Sequence, residues 1–119
     1  MEKLNYQEEA IMLVIWQVGK GFIKEYYNAL PEPKPHYNTF ASMLKNLERK
    51  GYIRQLRAVP GIEYEALIKE NTYKKKFMSN VVDKYFQNSY ANMVAFFTRN
   101  KEISVEELKQ IIKMIEEDK

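Results

Sequence analysis

The chain has 119 residues, 45% apolar, 29% charged and 13% aromatic, with a formal net charge of +3. That suffices for one compact domain with an appended part, falls short of two cores of ordinary size, and is too apolar for a disordered chain. It has no cysteine and a single histidine, His36, which excludes disulfides, thiol catalysis, cysteine-ligated zinc and any site needing two imidazoles from one chain, so neither a metal nor another cofactor is expected.

No uncharged run of about 18 residues occurs, and Met1-Glu2-Lys3-Leu4-Asn5 lacks the basic and apolar regions of a signal peptide. Membrane insertion and secretion are therefore not expected, and the cytoplasm is the default. Asn5 followed three residues later by Glu8 makes a capping box, and Met12, Ile15 and Trp16 with Ala10 and Leu13 supply apolar faces before Gly19, so a first helix is expected over about residues 6–18. Lys20-Gly21 breaks the pattern, and a short helix follows over about 23–30. Pro31-Glu32-Pro33-Lys34-Pro35 then forbids helix, because each proline biases its predecessor toward extended backbone.

A third helix starts near His36 or Tyr37 and ends at Lys50, with Gly51 placed as a left-handed stop. At about 100° per residue, Phe40, Met43, Leu44 and Leu47 share one side. Asn38, Ala41, Ser42, Lys45 and Arg49 share the other, a stripe without an acid. Two strands, Tyr52 to Ala58 and Ile62 to Leu67, flank a turn at Val59-Pro60-Gly61, where proline sets the first φ and glycine accepts a positive one. Helix, glycine stop, strand, turn, strand is the order in which a winged helix-turn-helix offers its recognition helix and wing to duplex DNA. The charge is distributed to match: Lys34, Lys45, Arg49, Lys50, Arg54 and Arg57 stand against Glu48 alone over residues 34–57, whereas residues 1–33 carry three lysines against five glutamates. The positive field is expected on the recognition helix and the wing.

After Leu67 the pattern returns to helix. Tyr73, Phe77, Met78, Val81, Val82, Tyr85 and Phe86 form one apolar stripe; Tyr90, Met93, Val94, Phe96 and Phe97 form a second; Leu108, Ile111, Ile112 and Ile115 form a third behind a Ser104/Glu107 cap. This is more apolar surface than three short helices bury among themselves. Either the arm folds back on the amino-terminal part or it pairs with the same arm of a second subunit, the preferred reading because two-fold dimers are the commonest oligomer. The interface residues expected are Phe77, Val81, Tyr85, Phe86, Tyr90, Met93, Val94, Phe97, Leu108, Ile111, Ile112 and Ile115. The fold class is thus mainly α with a small β-hairpin: a winged helix-turn-helix DNA-binding domain over residues 1–69 and a carboxy-terminal helical dimerisation arm over 70–119.

With Ile11-Met12, Ile15-Trp16, Tyr37-Asn38-Thr39, Met43, Leu44, Leu47, Lys50-Gly51-Tyr52-Ile53, Tyr64, Val94, Phe97, Asn100, Glu102-Ile103 and Glu106-Glu107-Leu108 in this order and spacing, the chain resembles the penicillinase repressor family, the BlaI/MecI/CopY-type winged-helix transcriptional repressors. The resemblance covers nearly the whole length. It implies a homodimeric repressor on a palindromic operator of double-stranded DNA, controlling genes of the antibiotic-resistance type. Its β-lactam-responsive members are cleaved at an Asn-Phe bond in the dimerisation arm, which brings in a membrane-bound sensor protease as a partner. Alignment through Val94 and Asn100 puts that bond at Phe96-Phe97, where the asparagine is missing. The copper branch uses a cysteine motif, which this chain lacks.

Lys45, Arg49, Lys50, Arg54 and Arg57 are read as phosphate contacts. Asn38 suits adenine, Thr39 and Ser42 suit base edges or phosphate, and the Ala41 methyl suits a thymine methyl. His36 serves as helix cap or DNA contact, and Tyr37 either binds DNA or buries its ring against the second helix. No phosphate-binding glycine loop, catalytic triad or zinc motif is present, so no enzyme is expected. The rival reading is a winged-helix protein-protein interaction module that never touches DNA.

Overall fold

The computed structural model describes residues 1–58 and 61–118. Helix α1 (Tyr6–Val18) opens on the reciprocal cap the sequence promises: Asn5 Oδ1 accepts the Glu8 N–H at 2.8 Å, and the Glu8 carboxylate accepts the Asn5 N–H at 2.9 Å. Ile11, Met12, Val14 and Ile15 are buried, while Leu13 points outward. Strand β1 (Gly21–Phe22) leads directly into α2 (Ile23–Ala29). Tyr26 is the pin of this corner, its buried hydroxyl lying 2.7 Å from the Gly19 carbonyl and 2.9 Å from that of Tyr64.

Beyond the proline-rich turn, α3 (Tyr37–Arg49) buries Phe40, Leu44 and Leu47. Tyr27 of α2 receives Phe40 and Tyr37 edge-on, with ring centroids 5.3 and 5.2 Å away. The exit of α3 is a Schellman turn. Gly51 sits at φ +83°, the Tyr52 N–H donates to Leu47 O at 3.0 Å, and the Gly51 N–H donates to Glu48 O at 3.0 Å. Strands β2 (Ile53–Ala58) and β3 (Gly61–Ala66) follow, antiparallel and registered from Ile53 opposite Ala66 to Ala58 opposite Gly61. Of the expected turn, Val59 and Pro60 lie outside the described residues.

The sheet order is β1-β3-β2, with Gly21 opposite Tyr64 and Phe22 opposite Glu63. The two-residue strand β1 was not expected; it is too short to show an alternating pattern, and only its partner strand defines it. The core gathers Ile11, Met12, Ile15, Tyr26, Phe40, Leu44, Leu47, Tyr52 and Ile53 from the three helices and β2. Trp16 packs on its rim, donating its indole N–H to the Ile68 carbonyl at 2.9 Å and stacking at a tilt on Tyr73, 5.4 Å between centroids. The result is a winged helix-turn-helix with three helices and a small sheet, followed by further helices.

The chain packs as two compact units that divide between Tyr73 and Lys74, within helix α4 (Glu70–Tyr85). The second unit continues through α5 (Tyr90–Arg99) and α6 (Val105–Glu117). Ser89 caps α5, accepting the Asn92 N–H at 3.1 Å, and Ser104 with Glu107 forms the anticipated capping box on α6. Gln87 and Asn88 reverse the chain in left-handed conformation, φ +48° and +62°. No described helix is long and apolar enough to cross a membrane.

Candidate nucleic-acid interface

The strong amphipathicity of α3 is what creates a site. Once Phe40, Leu44 and Leu47 are fixed in the core, helical spacing leaves Asn38, Thr39, Ser42, Lys45 and Arg49 exposed, with Ala41 half-buried at their edge. His36 caps the helix, its Nδ1 accepting the Asn38 N–H at 3.4 Å. Tyr37 is half-buried against Tyr27, so its ring belongs to the packing between α2 and α3. The Ser42 hydroxyl donates to the Asn38 carbonyl one turn back, at 3.1 Å, which leaves its oxygen as an acceptor toward solvent. The amino end of the exposed face is therefore neutral and rich in hydrogen-bonding groups; the carboxy end is cationic.

Two of the residues expected as phosphate contacts face a glutamate. Lys50 does not join the open stripe. Its ammonium lies 2.7 Å from Glu8 Oε1 and 3.0 Å from the Lys3 carbonyl, and its side chain is only 12% exposed. Glu8, expected as a cap, is in addition buried, at 2% exposure, and also accepts the Asn46 side-chain N–H. Burial would raise the Glu8 carboxyl, but Lys50, the Asn5 N–H and Asn46 together hold it below the usual carboxylate range. The wing arginines have acidic neighbours as well. Arg54 is exposed but ion-paired with Glu65 directly across the hairpin. Arg57 is exposed, yet Glu63 and Glu65 on β3 match Arg54 and Arg57 on β2 in number. The two strands of the hairpin carry as many glutamates as arginines, and the exposed cations of α3 and β2 besides Arg54 are Lys45, Arg49, which faces Glu2, and Arg57.

Asn46 is the residue the sequence reading missed. Its Oδ1 accepts from Arg49 Nε at 3.1 Å and Nη2 at 2.9 Å, so it orients the guanidinium from within the helix, and Glu2 stands 3.6 Å from the same group. The available signal was spacing: asparagine three residues before arginine on one helix face.

The exposed face of α3 is polar and, toward its carboxy end, cationic, and the comparison with known families gives it a context: the model of the penicillinase repressor family matches residues 4–117. The chain belongs to the penicillinase repressor family. No curated protein matches it. Members of this family are DNA-binding transcriptional repressors, regulators rather than enzymes.

In this penicillinase repressor family member the expected arm residues divide by exposure. Phe77, Tyr85, Tyr90, Val94, Ile111, Ile112 and Ile115 are exposed, whereas Val81, Phe86, Met93, Phe97 and Leu108 are half-buried. Val82 is the one buried hydrophobic residue among the described residues of the second unit, and α5 and α6 bury none. Met78, Phe96 and Met114 add to the exposed apolar surface. Phe96 and Phe97 lie inside α5, their rings edge-to-face at 5.4 Å, with Phe86 5.5 Å from Phe96.

Proposed function

We propose that this protein represses transcription as a homodimer on a palindromic operator, each copy laying α3 in a major groove. The observation that carries this reading is the exposed face of α3, to which the helix contributes amide, hydroxyl and cationic groups and no exposed acid of its own. Asn38, Thr39 and Ser42 offer amide and hydroxyl groups to base edges, and Lys45 and Arg49 neutralise phosphates further along the helix. Arg57 adds a phosphate contact from the wing. His36 and Tyr37 set the helix start, and Ala41 offers a methyl at the margin. With few available cations on each copy, binding draws its affinity from two helices at once, as operator readers with two-fold symmetry do.

Dimerisation is assigned to the arm because α5 and α6 bury no residue, while Tyr85, Tyr90, Ile112 and Ile115 are each more than half exposed. An apolar surface of this extent calls for a partner, and a second copy supplies the same surface. Release by proteolysis around Phe96-Phe97 by a membrane-bound sensor protease belongs to the same proposal. The bond lies within the helix α5, so a protease that takes its substrate extended must first open that helix.

A gel shift with the duplex upstream of the protein's own gene, at physiological salt and with competitor DNA, tests the reading. Retarded complex containing two chains per duplex is expected. Absence of a shift would favour a protein-interaction module, for which the charge-balanced hairpin would be a natural surface.

A further inference from the structure

The ion pair that removes Lys50 from the DNA-facing stripe has a use of its own. Glu8 lies near the start of α1 and Lys50 at the exit of α3. One carboxylate oxygen accepts from the Asn5 N–H and from the Lys50 ammonium at 2.7 Å, and the other accepts from Asn46. Asn46 passes the constraint outward, because its remaining oxygen holds the Arg49 guanidinium through two hydrogen bonds. The amino-terminal segment tightens the same corner. The Lys3 carbonyl takes the Lys50 ammonium, the Glu2 carbonyl accepts the Tyr52 hydroxyl, and the Glu2 carboxylate faces Arg49. Among the described residues no buried side-chain polar atom lacks a partner.

A buried ion pair of this kind adds little net stability compared with well-packed apolar residues, but it constrains geometry because neither charge tolerates losing the other. We propose that Glu8 is a positioning residue for operator recognition. Through Lys50 it fixes the exit of the recognition helix, and through Asn46 it aims Arg49, without itself touching DNA. The proposal rests on the reading of α3 as the DNA-reading helix. The grip of Glu8 on Lys50 and Asn46 sets how the exit of α3 sits on α1, and so where Asn38 and Ser42 stand on the same rigid helix. A base-reading side chain must be held to within about half an ångström. The aim of Arg49, a phosphate contact, bears on both duplexes alike.

The experiment compares wild type, Glu8→Gln, Lys50→Met and the double variant Glu8→Gln/Lys50→Met on the duplex upstream of the gene and on random duplex, across a salt series. Operator affinity should fall on the order of tenfold for each single variant, with a much smaller fall on random DNA. Lys50→Met should leave the slope of log affinity against log salt unchanged, since its ammonium is engaged by Glu8. The double variant should lose about as much operator affinity as either single variant, rather than the sum, as members of one unit do, and because it removes both charges together it keeps the fold where a single variant unfolds. Wild-type discrimination by Glu8→Gln or the double variant, or a slope reduced by about 1 per subunit in Lys50→Met, would overturn the inference while leaving the DNA reading intact. Failure of the wild-type protein to shift the upstream duplex would overturn the DNA reading and this inference with it.

Discussion

Arg54 of β2 stands directly opposite Glu65 of β3, its Nε donating to that carboxylate at 2.6 Å. The pair is exposed enough to contribute little to stability, yet it takes a wing cation out of the field that a phosphate would feel. Glu65→Gln should therefore strengthen binding to operator and random duplex alike and steepen the salt slope by about 1 per subunit. Titrations at several salt concentrations read this directly; an unchanged slope would leave Arg54 with a role inside the hairpin only.

Along α3 the two ends should respond differently. Asn38→Ala should cost on the order of 1–3 kcal/mol on operator and little on random DNA. Lys45→Ala should weaken both and lower the salt slope by about 1 per subunit. Equal losses for Asn38→Ala on the two duplexes would remove it from the base readers.

Tyr26 ties the exit of α1 to β3 through one buried hydroxyl. Tyr26→Phe leaves the Gly19 and Tyr64 carbonyls without that donor and should cost about 1–3 kcal/mol in urea unfolding. Burial also pushes the Tyr26 phenol up to about 12 from 10.0. The neutral form is favoured in the folded state, so its contribution is intact below pH 10 and declines as pH rises toward 12. Ultraviolet titration of the tyrosines, wild type against Tyr26→Phe, resolves the late-ionising group.

Acid should act through Glu8. Its folded pKa lies below the ordinary 4.5, so its stabilising contribution is complete above pH 4.5 and disappears as pH falls through the depressed folded value. Urea midpoints from pH 7 down to pH 3 should fall less steeply for Glu8→Gln/Lys50→Met than for wild type. Parallel curves would mean that the carboxylate titrates alike in folded and unfolded chains.

The arm offers the simplest oligomeric test. Ile112 is 53% exposed on α6, so Ile112→Glu should leave helical content unchanged by circular dichroism while shifting the sedimentation coefficient from dimer to monomer at micromolar concentration. Operator affinity should fall with it, because one recognition helix replaces two. A wild-type monomer at that concentration would reject the dimer.

What could be read from the sequence was local in the chain. The Asn5/Glu8 and Ser104/Glu107 boxes, the apolar stripe of Phe40, Leu44 and Leu47, and the Gly51 stop are all set by neighbours within one or two turns, and the structure has each. What escaped was pairing across distance. The partner of Lys50 is Glu8, 42 residues earlier, and the partner of Arg54 is Glu65, across the hairpin. The basic stretch over residues 34–57 is balanced in the wing by Glu63 and Glu65, which lie on β3 beyond it and come beside Arg54 and Arg57 only through the hairpin. Strand β1 exists only because β3 lies beside it. Asn46 was passed over because its value lies in holding Arg49 rather than in any contact of its own with a ligand.

Gly51 joins the recognition helix to the wing at φ +83°, and a Cβ built there would meet no atom within 4 Å. The space is open, so what the position selects is handedness rather than size. An L-alanine there should strain the backbone. The turn from recognition helix to hairpin therefore asks of this position only a backbone free to take a positive φ.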